Sequence, residues 1–427
     1  MSQQIHKSAF SSETLAAVRT RFAHVDNCPF DGKRIFFENA GGALTLQSVV
    51  DTSARFAAIP DNQGRDNGAS HALVAIIEQA KEDMRVFFNA PEGQFLVGES
   101  GTELIFRLVS AACLGSAPGG QVLGSTLEHP ATRSACARWA AVAGKPHVLV
   151  PHDDATGSVE AAQYLADLTQ DTRVATILHT SPVTGMGVDV ASVARAIRSR
   201  SPDCFIIVDG IQHAAHGRVD LASYDVDGYV ISPYKAFSRH GYGIAWVSER
   251  LAKLPHDHLI GAPGAPWELG TRDTGSYATF SDVVGYFEWL GAQFTDSTDR
   301  RERIVAAGHA IHAHEAWLTA AMLHGTGNLT GLAELEGVNI VGGIDNPRRE
   351  GLVSFWMEKA SAPDIVIHLR ERGIRVHTRK ADHYSGNILN PLGVSSCVRV
   401  SMCHYNSGAE VAEFLQAIRD FAETLET

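Results

Sequence analysis

Between residues 95 and 248 the chain alternates short apolar runs with amphipathic stretches, and nothing else in its 427 residues restricts the fold as tightly. The apolar runs fall at 95–98, 122–125, 147–150, 174–179, 205–208, 228–231 and 243–247. Each is too short for a buried helix and is bounded by polar or small residues, which reads as a strand. Helical spacing of apolar residues appears at 102–113, 131–142, 161–168 and 190–199. Strands separated by helix-length crossovers pair in parallel, so the expectation is an α/β fold with a mostly parallel sheet wrapped by helices. Its active site would lie at the strand carboxyl ends.

The flanks read differently. Helices are expected at 12–24 and 71–88. After residue 260 a loop, GAPGAPWELGTRDTGS, leads into helices over 280–324. Strands at 338–341, 352–357, 374–377 and 398–402, a helix at 363–372 and a last helix from Ser407 complete a smaller α+β unit. The expected division is a segment 1–35 packing with the small domain, a large domain 36–290 and a small domain 291–427. Net charge is −12 and no basic stripe occurs, which argues against nucleic acid or an anionic membrane as partner. No run is apolar enough to span a bilayer, and the first residues lack an apolar secretory core. Six cysteines without CxxC spacing sit mostly within apolar runs and read as reduced core thiols, so the expected location is the cytoplasm.

Two strings carry the chemistry. FIIVDGIQHAAHG ends its apolar run at Asp209, and DGYVISPYK ends its run before Ser232, Tyr234 and Lys235. A carboxylate and an amine at the carboxyl ends of neighbouring strands are what a pyridoxal 5'-phosphate (PLP) site needs. The amine forms a Schiff base with the cofactor aldehyde, and the carboxylate keeps the pyridine nitrogen protonated. Gln212 is placed to donate to the ring's phenolic oxygen. An N-cap is the plainer role for Asp209, and a surface position the plainer one for Lys235. In FLVGESGTELIFRLVSA a strand, a small-residue turn and a helix start coincide. Ser100, Gly101 and Thr102 there form either an anion site or an ordinary capped turn. His129, in STLEHP, follows another strand, where a flat imidazole can stack on a pyridine ring. Arg399 lies inside a β-like run and must find an anion, either an internal carboxylate or that of a substrate.

Taken in order, FIIVDGIQHAAHG, DGYVISPYK, STLEHP and VRVSMCHYNS resemble the class V aminotransferase fold of PLP enzymes, fold type I. The nearest branch is the cysteine desulfurase and selenocysteine lyase-like proteins, with isopenicillin N epimerase as a relative. The resemblance implies Lys235 as the Schiff-base lysine, Asp209 on the pyridine nitrogen and Gln212 on the phenolic oxygen. It implies His129 stacked on the ring and Gly101, Thr102 and Ser232 on the phosphate, with Tyr234 beside them. Thr271 would reach the phosphate of a second subunit, which implies a homodimer with shared sites. Arg399 would bind the substrate carboxylate, and the Asn39-Ala40-Gly41 backbone would line the substrate pocket.

Three departures bear on the reaction. Desulfurases carry a nucleophilic cysteine on a loop of the small domain, and the matching segment here, HTRKADHYSGNILNPLG, has none. Tyr234 stands where the family often has histidine, and Pro182 where it often has asparagine. The expectation is therefore an enzyme acting at Cα and Cβ of an amino acid through a Schiff base and quinonoid. A desulfurase-like lyase without a persulfide cysteine leads; a class V aminotransferase and an amino-acid epimerase, with Tyr384 or His383 as second acid, are the alternatives. Arg379 and Lys380 suggest a second anionic group on the substrate. A non-catalytic binding protein of the same fold is the alternative of another class. No metal site is expected: His309, His312 and His314 lack a completed ligand pattern, and a polar helix face accounts for them.

Overall fold

The computed structural model describes residues 8–264 and 266–425. Its centre is a seven-stranded sheet of β1 (Gly93–Gly98), β2 (Gln121–Ser125), β3 (His147–Val150), β4 (Thr172–Leu178), β5 (Phe205–Asp209), β6 (Gly228–Ile231) and β7 (Gly243–Ser248), in the order β1-β7-β6-β5-β4-β2-β3. The run β6-β5-β4-β2-β3 is parallel, and β7 is antiparallel to both its neighbours. Side chains alternate between two cores. Ile206, Val208, Tyr229 and Ile231 face one, while Phe205, Ile207 and Val230 face the other. Both faces are therefore covered, as a parallel sheet requires, which is why its strands read as continuous apolar runs.

Helices α1 (Ser12–Arg19), α2 (Gln47–Ala57) and α3 (Gly68–Phe88) precede the sheet, and α4 (Gly101–Gly115), α5 (Pro130–Val142), α6 (Ala161–Asp167) and α7 (Val190–Arg200) connect its strands. Then α8 (Thr274–Gly291) and the long α9 (Arg300–His324) lead to a four-stranded sheet of β8 (Val338–Ile340), β9 (Leu352–Met357), β10 (His377–Lys380) and β11 (Ser396–Ser401), in the order β8-β9-β11-β10. Helices α10 (Ala362–Glu371) and α11 (Gly408–Thr424) pack with this sheet and α9 around a separate core that includes Val353, Phe355, Val398, Val400, Leu369 and Phe414.

Three sequence expectations need correction. The first helix stops at Arg19 because the following chain turns outward to pair: Ala23 N donates to Thr45 O, and Phe22 bridges Leu46. The run expected at 374–377 divides in two. Ile374–Arg375 pairs in parallel with Ile35–Phe36, and the chain then shifts so that His377–Lys380 pairs with β11. Arg379 and Lys380 thus stand on a strand rather than on the loop, which starts at Ala381. Helix α2 escaped the sequence reading; its buried side chains are only Val49, Thr52 and Phe56.

The segment before Ile35 touches residues from both sheets' surroundings. Phe22 packs on Phe237 and Tyr405, and Arg19 Nη1 donates to Tyr405 O at 2.6 Å. An aromatic cluster closes the core beneath α8, where Phe287 meets Phe87 edge-on at 5.1 Å and stacks on Phe237 at 6.0 Å. Phe287 is fully buried, so Phe287→Ala should cost about 3–5 kcal/mol in a denaturant titration. A loss within the error of the measurement would mean this cluster does not contribute to the core.

Candidate active site

The turns leaving β1, β2, β5 and β6 converge on one cavity of about 380 Å³, lined by Thr102, His129, Asp209, Gln212, Ser232, Tyr234 and Lys235 among others. Each side chain arrives at the carboxyl edge because its strand ends there. Asp209 is the last residue of β5, and Ser232 and Lys235 follow β6 in a tight 3-10 turn opened by Pro233. Strands β5 and β6 are hydrogen-bonded neighbours, so the carboxylate and the amine share the cavity.

The Asp209 carboxylate is 2 % exposed and has no cation within ion-pair distance among the described residues. It accepts from Thr132 Oγ1 at 2.9 Å and from Ile211 N at 3.2 Å. Burial holds its pKa above the usual carboxylate value, and these bonds oppose that only in part. Lys235 Nζ donates to Gln212 Oε1 at 3.3 Å. Burial, with Arg399 and Arg379, lowers the Lys235 ammonium to about 8, while Asp209 acts the other way. His129 caps α5, its Nδ1 accepting from Ala131 N at 3.1 Å. Burial, then Lys235, Arg379 and Arg133, lower it to about 3, so a neutral ring with its free nitrogen protonated faces the cavity.

Gly101 opens α4 with Ser100 as its N-cap, Ser100 Oγ accepting from Glu103 N, and Thr102 in the first turn lines the cavity with Ser232. A Cβ at 101 would press on Ser232 Oγ and on the Ile211 side chain, which would have to move to admit it. Tyr234 lines the wall and stacks on His240 at 4.2 Å.

Arg399 is 3 % exposed and forms no ion pair within 4 Å among the described residues. Its Nη1 donates to Pro182 O at 3.0 Å, and its Nε has no partner. Burial, then Arg379, lower its pKa to about 10. Pro182 thus supplies a carbonyl that holds Arg399, a role the sequence reading did not assign to it. Arg379 lies one diagonal step away on the same face of β10 and β11, since its direct partner is Cys397. Its Nε and Nη2 both donate to Ser385 Oγ, and its guanidinium lies 5.3 Å from the Tyr384 ring. The Tyr384 ring in turn lies edge-on to His129 at 5.8 Å.

Two expected site regions are not among the residues that line this cavity, and Thr271 is expected at a second subunit's phosphate rather than here. Asn39 does not line the cavity: its amide donates to Ser401 O at 2.8 Å, Tyr405 donates to its oxygen, and Ala40 N donates to Ser401 Oγ. The segment joins the chain start to β11, and a Cβ at Gly41 would lie 3.6 Å from Arg399 Nη2. Thr271 is exposed and lines a separate cavity with Phe56, Gln63 and Leu73. Several cavity contacts were missed, above all Thr132, Thr180 and a buried histidine–glutamate set behind Gln212. Thr180 donates to Glu350 at 2.7 Å, His213 bonds Glu350 at 3.0 Å, and His216 bonds Glu315 at 2.8 Å. His216, Glu315 and Cys403 bring donor atoms within 4.8 Å of one another, but the His216–Glu315 bond already engages the ring. We read them as a hydrogen-bonded cluster. His309 and His312 are exposed on α9, while His314 turns inward to Ser8 and Asn406.

The aminotransferase class-V profile matches residues 35–414. The chain belongs to the class V aminotransferase family. Its members are PLP-dependent enzymes. A probable cysteine desulfurase of Vibrio cholerae is 23% identical over 427 residues, covering 96% of this chain and 99% of that protein. A cysteine desulfurase of Synechococcus elongatus is 26% identical over 400 residues, covering 90% of this chain and 60% of that protein. A nonribosomal peptide synthetase-like enzyme of Aspergillus fumigatus is 27% identical over 409 residues, covering 91% of this chain and 26% of that protein. The chain therefore spans only a quarter to three-fifths of some curated relatives that it matches. Among solved structures, a cysteine desulfurase of Escherichia coli superimposes with a TM-score of 0.77 at 23% identity, over 96% of this chain and 98% of that one. The apo cysteine desulfurase of Thermococcus onnurineus does so at 0.78 and 20%, over 92% and 95%. These likenesses show the fold: the large, mostly parallel sheet with helices on both faces is that of fold type I.

Free Lys235 must lose its proton before it can attack a carbonyl. The rate at which apoprotein takes up PLP should therefore rise with pH through a midpoint near 8. Removing the neighbouring cation in Arg399→Met should raise that midpoint by about half to one unit, because Arg399 depresses it. A midpoint left unchanged by the substitution would show that Arg399 does not act on the amine.

Proposed function

We propose that this enzyme removes a proton from Cα of an amino acid and expels a leaving group from Cβ, as a desulfurase-like lyase that forms no protein persulfide. The cavity's donor set fits PLP. Asp209 is a buried carboxylate with no ion pair among the described residues, suited to a protonated ring nitrogen. The α4 start with Thr102 and Ser232 suits a phosphate dianion, and the neutral His129 ring suits stacking. When bound, the cofactor supplies a sink for negative charge at Cα.

This chain's residues supply the rest. Arg399 binds the substrate carboxylate; its Nε is unpartnered and a carboxylate satisfies its buried charge. Lys235, once freed, takes the Cα proton on Nζ, and its lowered pKa suits a base working near neutrality. The leaving group departs from Cβ with the bonding electron pair. Hydrolysis of the released enamine then gives a keto acid and ammonia.

The observation that carries the absence of a persulfide is the state of the thiols. All six cysteines are buried, and the one whose thiol is held below its ordinary value, Cys28, by the backbone N–H groups of Phe30 and Asp31, lies beside Arg375 and not on the cavity. Burial pushes Cys397, beside Arg379, up to about 11, and it raises Cys403 as well. A protonated, enclosed thiol is a poor nucleophile, and the segment 377–393 offers no other. Incubation with L-cysteine should yield pyruvate, ammonia and sulfide, with no sulfur retained on the protein by mass spectrometry. A trapped persulfide, or accumulation of the pyridoxamine form, would overturn the assignment in favour of desulfuration or amino transfer.

A second reading rests on Tyr384, whose ring lies beside His129 and Arg379. A phenol there is the candidate acid for returning a proton to the other face of Cα, which is epimerisation. Solvent deuterium appearing at Cα with inversion, and lost in Tyr384→Phe, would favour it.

Arg379 stands on the same sheet face as Arg399, and both cations act on Lys235, which supports favoured substrates that carry a second anionic group. Arg379→Ala should lower kcat/KM for acidic amino acids by about tenfold relative to neutral ones, the loss of one charged hydrogen bond. An equal effect on both classes would remove this assignment. Thr271, exposed away from its own cavity, is proposed to reach the phosphate of a second copy in a homodimer.

A further inference from the structure

Gln212 is held from behind. Its Nε2 lies 3.2 Å from His216 Nε2, and His216 Nδ1 lies 2.8 Å from Glu315 Oε2. On the other side its Oε1 accepts from Lys235. Gln212, His216 and Glu315 are all almost wholly buried, so water offers no alternative partners. This is a continuous hydrogen-bonded chain from the active-site amine to the middle of α9.

A primary amide has one donor end and one acceptor end, and an imidazole nitrogen is either donor or acceptor. The polarity of the chain is therefore set as a unit. With Lys235 as a free amine, Gln212 presents oxygen to the site and its NH2 to His216. His216 Nε2 is then a bare lone pair, and Nδ1–H donates to the Glu315 carboxylate. A cofactor oxyanion at Gln212 demands the reverse. The NH2 must face the site, the amide oxygen must face His216, and Nε2 must carry a proton.

We propose that His216 and Glu315 are positioning residues: the proton they share decides which end of the Gln212 amide faces the cofactor oxygen, so that PLP binding is coupled to uptake of one proton at this pair. The inference rests on the placement of that oxygen at Gln212. The surroundings suit a shared proton. Burial lowers His216, but the charge and hydrogen bond of Glu315 outweigh it and hold the ring above its ordinary value; burial raises Glu315 in turn. The other groups facing His216 are Glu350 from the segment before β9, Lys235 from the turn after β6, and Cys403 and His404 from the segment after β11. Glu315 Oε1 has no partner, which leaves room for the proton on either member.

The test is a double-mutant cycle read as the dissociation constant of PLP from the apoprotein, with Gln212→Ala, Glu315→Gln and the pair. Gln212→Ala and Glu315→Gln should each weaken binding about tenfold, and the pair no more than Gln212→Ala alone, because both act through one amide. Glu315→Asp should restore part of the loss. Calorimetry of PLP binding to wild type, in buffers of differing ionisation heat, should show about one proton more taken up than in Gln212→Ala. That measurement needs no change at Glu315 and so stands if Glu315→Gln fails to fold. Additive losses, or equal proton uptake, would overturn the inference. An unchanged affinity in Gln212→Ala would instead overturn the placement of the cofactor oxygen on which it rests.

Discussion

Charge without counterion is the constraint around which this molecule is arranged. Asp209 and Arg399 are buried and Lys235 is half-buried, and among the described residues none of the three forms an ion pair; each is hydrogen-bonded to a neutral group. Burying an ion this way is costly, and natural chains avoid it unless a ligand completes the pairing. The three share one neighbourhood, so their costs also interact: the two arginines lower the Lys235 ammonium, and Asp209 opposes them. A zwitterionic aromatic phosphate and an amino acid together offer the cation, the electrophile and the carboxylate that these residues lack. The rest of the fold, from the parallel sheet to the second sheet that carries Arg399, serves to hold those charges in place.

The large sheet was legible because burial on both faces forces its strands into continuous apolar runs, and strand ends then mark the site. Asp209 and Lys235 could be paired from sequence since each closes such a run. The second sheet was harder. Strand β10 is a polar quartet, His377–Lys380, whose hydrogen bonds to β11 leave no hydrophobic signature, so it read as loop. That misreading also concealed that Arg379 stands on the same sheet face as Arg399. The short helix α2 was lost for a similar reason, with few buried side chains to mark its period.

Long-range polar bonds were the least visible part. Nothing in the string around Asn39 shows that its amide would be consumed by Ser401 and Tyr405, more than 300 residues away. Pro182 reads as a lost donor, yet its carbonyl is what secures Arg399. His216 lies four residues after Gln212 in a string already singled out, but its partner, Glu315, comes from α9. Only the fold brings such groups together, and the site's electrostatics depend on them. The family match accounts for the frame.

The most direct measurement is reduction of the PLP-loaded protein with borohydride, followed by peptide mapping. The account predicts a single phosphopyridoxyl group on Lys235, and none in Lys235→Ala. Attachment at another lysine, or a protein that takes up no PLP at all, would contradict it.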